Sequence, residues 1–154
     1  MLIALSLLGD FKANETYRMR ASNAAEDLLA EVSAFPVERR EQLTRIAFVF
    51  SFHESSWLAN PPGHNDQGNA CGTMQTWMPW IEIPGTTCKT VREDRRLGFR
   101  IGLQRINNLW TKCGTLTASL TAFATTGQCA SWTLPLVAHR CKEAGLTSTC
   151  NLKG

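Results

Sequence analysis

The sequence predicts a single, mainly α domain with one irregular lobe, on three observations. Apolar residues recur three and four apart over most of the chain, which is the period of an amphipathic helix. One stretch, residues 56–90, breaks that pattern with Pro61-Pro62-Gly63, Gly68, Gly72, Pro79, Pro84 and Gly85, and reads as loop with room for a short β-hairpin or helical turn. The length of 154 residues suits one domain, and a composition of 44% hydrophobic and 19% charged residues is that of a globular chain. Repeats, low-complexity tracts and linkers are absent from the pattern, so residues 1–154 are read as one unit, with 1–21 as an N-terminal extension and 22–154 as the core.

Each element has its own local signal. Residues 1–9 are apolar but lack a basic leading segment and run straight into Asp10. They are too short to span a membrane, carry no recognisable export signal, and are read as a helix or edge segment packed on the domain. A first helix is expected from Asn23, with Asn23 as cap, Glu26 at the capping-box position, and Ala25, Leu28, Leu29 and Val32 on one face until Pro36 ends it. A second runs from about Val37 to Glu54, with Leu43, Ile46, Ala47 and Phe50 on an apolar stripe that Glu54 continues. A third spans about Val91 to Lys112, with Phe99, Leu103, Ile106 and Trp110 facing inward and Gly114 as C-cap. Thr115 caps a shorter helix carrying Leu116, Leu120 and Phe123, and Pro135 opens a last one that Gly145 closes.

Charge and cysteines narrow the classes of function. A net charge of +3 favours an anionic partner only slightly, and no run of five basic residues occurs, so nucleic acid is not expected as a partner. Arg39-Arg40 and Arg95-Arg96 are read as solvated helix faces. The six cysteines, Cys71, Cys88, Cys113, Cys129, Cys141 and Cys150, contain no CxxC knuckle, which disfavours zinc. Their even number suggests disulfides in an oxidising compartment, with buried free thiols as the alternative and the pairing left open.

Glu54 is the residue that asks for a chemical explanation. A carboxylate that ends an apolar stripe, after Phe48-Val49-Phe50-Ser51-Phe52, is costly unless paired or neutral. Desolvation and the negative end of the helix dipole both disfavour its charged form, so a raised pKa is expected, as a general acid near neutral pH needs. The plain alternative is a terminal Glu turned out to water.

The residues that follow favour the chemical reading. Glu54-Ser55, then Asp66-x-Gly68-Asn69-x-x-Gly72-x-Met74-Gln75, resembles the signature of the soluble lytic transglycosylases and goose-type lysozymes, with the longer stretch most similar to the goose-type side. The resemblance covers roughly residues 40–130, with its strong motifs from 54 to 75, and Asp94 and Gly98 are similar to the family's next helix. It implies a lysozyme-like fold with the irregular lobe beside a catalytic cleft. It also implies that Glu54 protonates the glycosidic oxygen between N-acetylmuramic acid and N-acetylglucosamine, and that Ser55, Gly72, Met74 and Gln75 bind glycan, with no cofactor or metal. The family's Ala-Tyr-Asn-x-Gly-like segment corresponds to Ala122-Phe123-Ala124-Thr125-Thr126-Gly127, where Phe123 keeps the ring without the hydroxyl and Ala124 lacks the amide.

The second carboxylate separates the two chemistries of that family. A hydrolase needs a base or nucleophile opposite the acid. Asp66 matches one acidic position of the goose-type pattern, and a turn-forming role in Asn65-Asp66-Gln67-Gly68 weighs equally. Where a second Asp follows Met-Gln in that pattern, this chain has Thr76-Trp77. A transglycosylase releasing 1,6-anhydro ends is therefore favoured, with a muramidase, or a wall-binding or virion component lacking activity, as alternatives. Trp77 and Trp80 flank Pro79 and offer stacking faces for sugar, whereas Trp110 and Trp132 are read as core. His53, His64 and His139 show no ligand or triad pattern. The implied partners are peptidoglycan strands, without stable membrane insertion. An extracytoplasmic, secreted or virion-associated location follows, with a phage lysin, a virion part or a piece of a larger wall machine as origins.

Overall fold

The structure, a computed structural model, describes residues 15–61, 69–81 and 83–150. It is mainly helical: α1 (Glu15–Val32), α2 (Val37–Ser55), α3 (Cys88–Glu93), α4 (Arg95–Cys113), α5 (Leu116–Ala124) and α6 (Pro135–Glu143). Strands β1 (Ala70–Cys71) and β2 (Thr76–Trp77) form an antiparallel hairpin between α2 and α3, with Ala70 opposite Trp77 and Cys71 opposite Thr76. A 3₁₀ turn, Met78–Trp80, follows it. The mainly α class and the hairpin lobe are as the sequence predicts. The apolar segment 1–9 lies outside the described residues.

Two helix boundaries differ from expectation. Helix α1 is already under way at Glu15, so Asn23 lies inside it and caps nothing. Residues 15–22 include no Gly or Pro, and burial of Ala21 at the head of the apolar face holds the extra turns in place. The expected third helix is two helices, because Asp94 interrupts it. Its Oδ1 accepts the Leu97 N–H at 3.1 Å, and its extended backbone starts α4 afresh. A short polar side chain that satisfies an N-terminal donor competes with helix continuation. Thr87 and Thr90 close a reciprocal capping box on α3. Thr115 caps α5 by accepting the Ala118 N–H, and Gly114 and Gly145 take the positive φ values that end α4 and follow α6.

Helix α4 is central, touching α1, α2 and α5. The main core joins Leu28, Leu43, Ile46, Phe50, Phe99, Leu103, Ile106 and Leu120, all fully buried. A smaller cluster of Cys71, Val91 and Ile101 lies under the hairpin. Trp110 packs partly against the core as expected, but Trp132 is 55% exposed in the bend after Cys129 and is not a core residue.

The arginine pairs are solvated only in part: Arg40 and Arg96 are exposed and Arg39 and Arg95 half-buried, and all four are engaged. Arg95 meets Asp27, and Arg96 and Arg100 both meet Glu31, joining α4 to α1. Arg39 donates to Asn107 Oδ1 and Thr111 Oγ1, each at 2.9 Å, and stacks over Trp110, joining α2 to α4. Arg40 donates to the Phe35 carbonyl. Arg39, Arg95 and Arg96 find their acceptors on other helices, which the local pattern does not show, whereas Arg40 bonds close by in the chain.

Three disulfides link Cys71 to Cys88, Cys113 to Cys129, and Cys141 to Cys150. They tie the hairpin to α3, the end of α4 to the loop after α5, and α6 to the C-terminal turn. Such crosslinks suggest an oxidising, extracytoplasmic environment. Among the described residues no helix is long and apolar enough to cross a membrane.

Candidate active site

The end of α2 positions Glu54. Ser56 and Trp57 take consecutive left-handed conformations, φ 50° and 61°, and the Ser56 and Trp57 N–H groups bond back to the Phe52 and Ser51 carbonyls. Trp57 is then buried, with Nε1 donating to the Phe48 carbonyl at 3.1 Å. That fold-back stops the helix one turn after Phe50, leaving Glu54 at the edge of the apolar face with its side chain 28% exposed.

Glu54 opens onto a cleft of about 420 Å³. Phe50 and Glu54 from α2 form one wall; Ala70, Met74, Gln75, Trp77 and Trp80 from the hairpin and the 3₁₀ turn form another; Phe123, Ala124, Thr125 and Leu136 complete it. Met74, Gln75, Trp77 and Phe123 are thus gathered around Glu54. The Trp77 and Trp80 rings lie 6.1 Å apart, and Phe123 meets Phe50 edge-on at 6.1 Å.

Ser55 and Gly72 stand behind the wall rather than on it. Ser55 is buried, its Oγ 2.8 Å from both the Ser51 and the Thr73 carbonyl, so its single proton ties the hairpin turn to α2. Gly72 has φ 75°, and a Cβ there would meet Val91 Cγ1 at 2.4 Å. On α4, Gly98 and Gly102 leave room for the same turn: a Cβ at Gly102 would stand 2.4 Å from Met74 Sδ. Two glycines one helical turn apart are the sequence signal for such a close approach. Asp66 and Gly68 lie outside the described residues.

Gln75 is held in an unusual state. Its φ is 45°, its Nε2 donates to the Gly72 carbonyl at 2.7 Å, and its buried Oε1 has no hydrogen-bond partner among the described residues. Strain and an unsatisfied acceptor on a cleft wall are features that functional sites retain.

Arg140 is the residue that the local pattern conceals. Its Nη1 lies 2.6 Å from Glu54 Oε1, and its guanidinium covers the Phe50 ring at 4.3 Å from the centroid. Nη1 is buried and makes no aligned hydrogen bond, so the contact is an ion pair. Glu54 is therefore paired with a cation rather than standing alone at the end of the apolar stripe. His53 and His139 also meet, at Glu143, just outside the cleft wall.

With a carboxyl group, an amide and several aromatic faces around one groove, the site can hold a neutral ring by stacking and pass a proton at Glu54. Comparisons with protein-family models, with curated proteins and with solved structures return no match for this chain.

Proposed function

We propose that this protein is a peptidoglycan lytic transglycosylase, cleaving the β-1,4 bond between N-acetylmuramic acid and N-acetylglucosamine with Glu54 as acid and base. One observation carries the reading: Glu54, Met74, Gln75, Trp77 and Phe123, from three separated parts of the sequence, line one cleft. Glu54 is the one carboxylate among the described residues that line it. The resemblance of Glu54-Ser55 and Gly72-x-Met74-Gln75 to the transglycosylase and goose-type signature supports the same reading.

The step balances with a single carboxyl group. Glu54 gives its proton to the glycosidic oxygen, and the bond from that oxygen to muramic acid C1 breaks. The Glu54 carboxylate then accepts the proton of the muramic acid 6-hydroxyl as that oxygen bonds to C1. Glu54 ends as it began, a 1,6-anhydro ring closes, and no water is consumed. Arg140 stabilises the carboxylate between the two proton transfers. The site of action is then the cell wall, with glycan strands as partner.

The engagement of Glu54 by Arg140, with the missing hydroxyl and amide at Phe123-Ala124, favours a second reading, a wall-binding component that keeps the fold without the activity. Digestion of purified peptidoglycan in ¹⁸O-water, followed by borohydride and mass spectrometry, separates the readings. The proposal expects unlabelled, borohydride-resistant anhydro ends. Labelled, reducible ends mean a hydrolase with Asp66 as candidate base, and no soluble product means a binding component.

A further inference from the structure

Outside the cleft, three metal-ligating side chains from two helices converge. His53 lies in the last turns of α2, and His139 and Glu143 are one turn apart on α6, which puts both on one face of that helix. Glu143 Oε2 is 2.7 Å from His53 Nε2 and 3.5 Å from His139 Nε2. One ligand atom from each residue lies within 4.8 Å of the other two, and all three side chains reach solvent. We propose that His53, His139 and Glu143 bind one divalent transition-metal ion of the Zn²⁺ class, clipping α6 to α2 beside the cleft.

The chemistry selects the ion. Two imidazoles and one carboxylate suit Zn²⁺, Ni²⁺ or Cu²⁺, whereas Mg²⁺ and Ca²⁺ take sets of oxygens. A tetrahedral Zn²⁺ holds nitrogen and oxygen ligands at about 2.0–2.1 Å, hence roughly 3.3 Å from one another. The two distances at Glu143 Oε2 bracket that spacing, and the third pair lies within 4.8 Å, so small side-chain rotations form the shell. The ion replaces the hydrogen bond that now joins His53 Nε2 to Glu143 Oε2. Three protein ligands leave the fourth position to water.

Position gives the clip its consequence. His53 precedes Glu54, and His139 precedes Arg140, so the same two helices carry the Glu54–Arg140 ion pair. An occupied site fixes α6 against α2 where that pair forms. The disulfide Cys141–Cys150 already secures the other side of α6.

Binding is measured on the untagged, EDTA-stripped protein, independently of any activity on cell wall. Calorimetric titration with ZnCl₂ is expected to give one saturable site per chain, with a Tm rise of about 3–6 °C when the free ion exceeds Kd about tenfold. His139→Gln and Glu143→Gln are each expected to weaken binding more than about tenfold, because each removes a ligand. His139 is 65% exposed on its side chain, so His139→Gln keeps the fold, which far-UV circular dichroism checks. Absence of a saturable site overturns the proposal. Wild-type affinity in either folded variant also overturns it, since the ion then sits elsewhere.

Discussion

Replacing both Arg96 and Arg100 with Gln leaves Glu31 in a nearly dry position without a counter-ion. The Glu31 side chain is 6% exposed, while those of Arg96 and Arg100 are 51% and 55% exposed. Energies on the two sides of this cluster are therefore unequal. In Glu31→Gln the two guanidinium groups turn to water, and the loss is that of partly screened charge-assisted bonds, about 1–2 kcal/mol. In the double variant a buried carboxylate is stranded, which costs about 3–5 kcal/mol at neutral pH. Acid sharpens the contrast. The Arg100 hydrogen bond, reinforced by Arg96 and opposed by burial, holds the Glu31 carboxyl below its ordinary value. That stabilisation is complete above the unfolded-state value and is lost as pH falls through the lower folded value. With both arginines gone, burial alone raises the carboxyl, so acidifying from neutral pH towards 5 narrows the deficit of the double variant against wild type. Urea unfolding followed by far-UV circular dichroism at pH 7 and 5 measures both effects. If Glu31→Gln proves as costly as the double variant, or the deficit of the double variant does not shrink at pH 5, the reasoning fails.

Two smaller perturbations probe the cleft wall. Gly102→Ala drives a Cβ against Met74 Sδ, Cβ and Cγ at 2.4, 3.0 and 3.1 Å, and overpacking of about 1–3 kcal/mol outweighs a helix-propensity gain of about 1 kcal/mol. A net loss of stability by denaturant titration, with reduced wall digestion as Met74 shifts, is expected; a gain with unchanged activity contradicts it. Gln75→Ala removes a side chain that lines the cleft and is expected to lower kcat/KM on soluble muropeptide strands about tenfold, with unfolding free energy within about 1 kcal/mol of wild type. Unchanged kcat/KM would show that the amide faces no substrate.

Elements whose ends are written in neighbouring residues were legible. Thr115 before Leu116, Pro135 at the start of α6, and Gly114 after Cys113 are short-range signals, and the structure follows each. Asn23 and Asp94 show the ambiguity of the same signals. Both are polar residues inside a helical pattern, and the caps differ because Asp94 satisfies Leu97 while Asn23 sits in a helix that already has its turns.

The cleft was legible to the extent that chain order brackets it, as with Glu54, Met74, Gln75, Trp77 and Phe123. Local pattern could not separate Ser55 and Gly72, which brace the wall, from Gln75, which faces the groove. That distinction depends on the direction of side chains set by α4. Arg140 was hidden for the same reason: its distance along the chain from Glu54 is long, and only the packing of α6 on α2 brings them together. His139 and Glu143 carry a visible one-turn spacing, but their partner His53 comes from another helix.

The central claim is that Glu54 passes the proton, and Glu54→Gln tests it most directly. The amide keeps the size of the side chain, cannot donate the catalytic proton, and removes the charge facing Arg140. Release of soluble muropeptides from purified peptidoglycan should fall by about 10²–10⁴, with far-UV circular dichroism unchanged. A folded Glu54→Gln variant that retains more than about a tenth of wild-type release would contradict it, because general acid catalysis at this position contributes more than that.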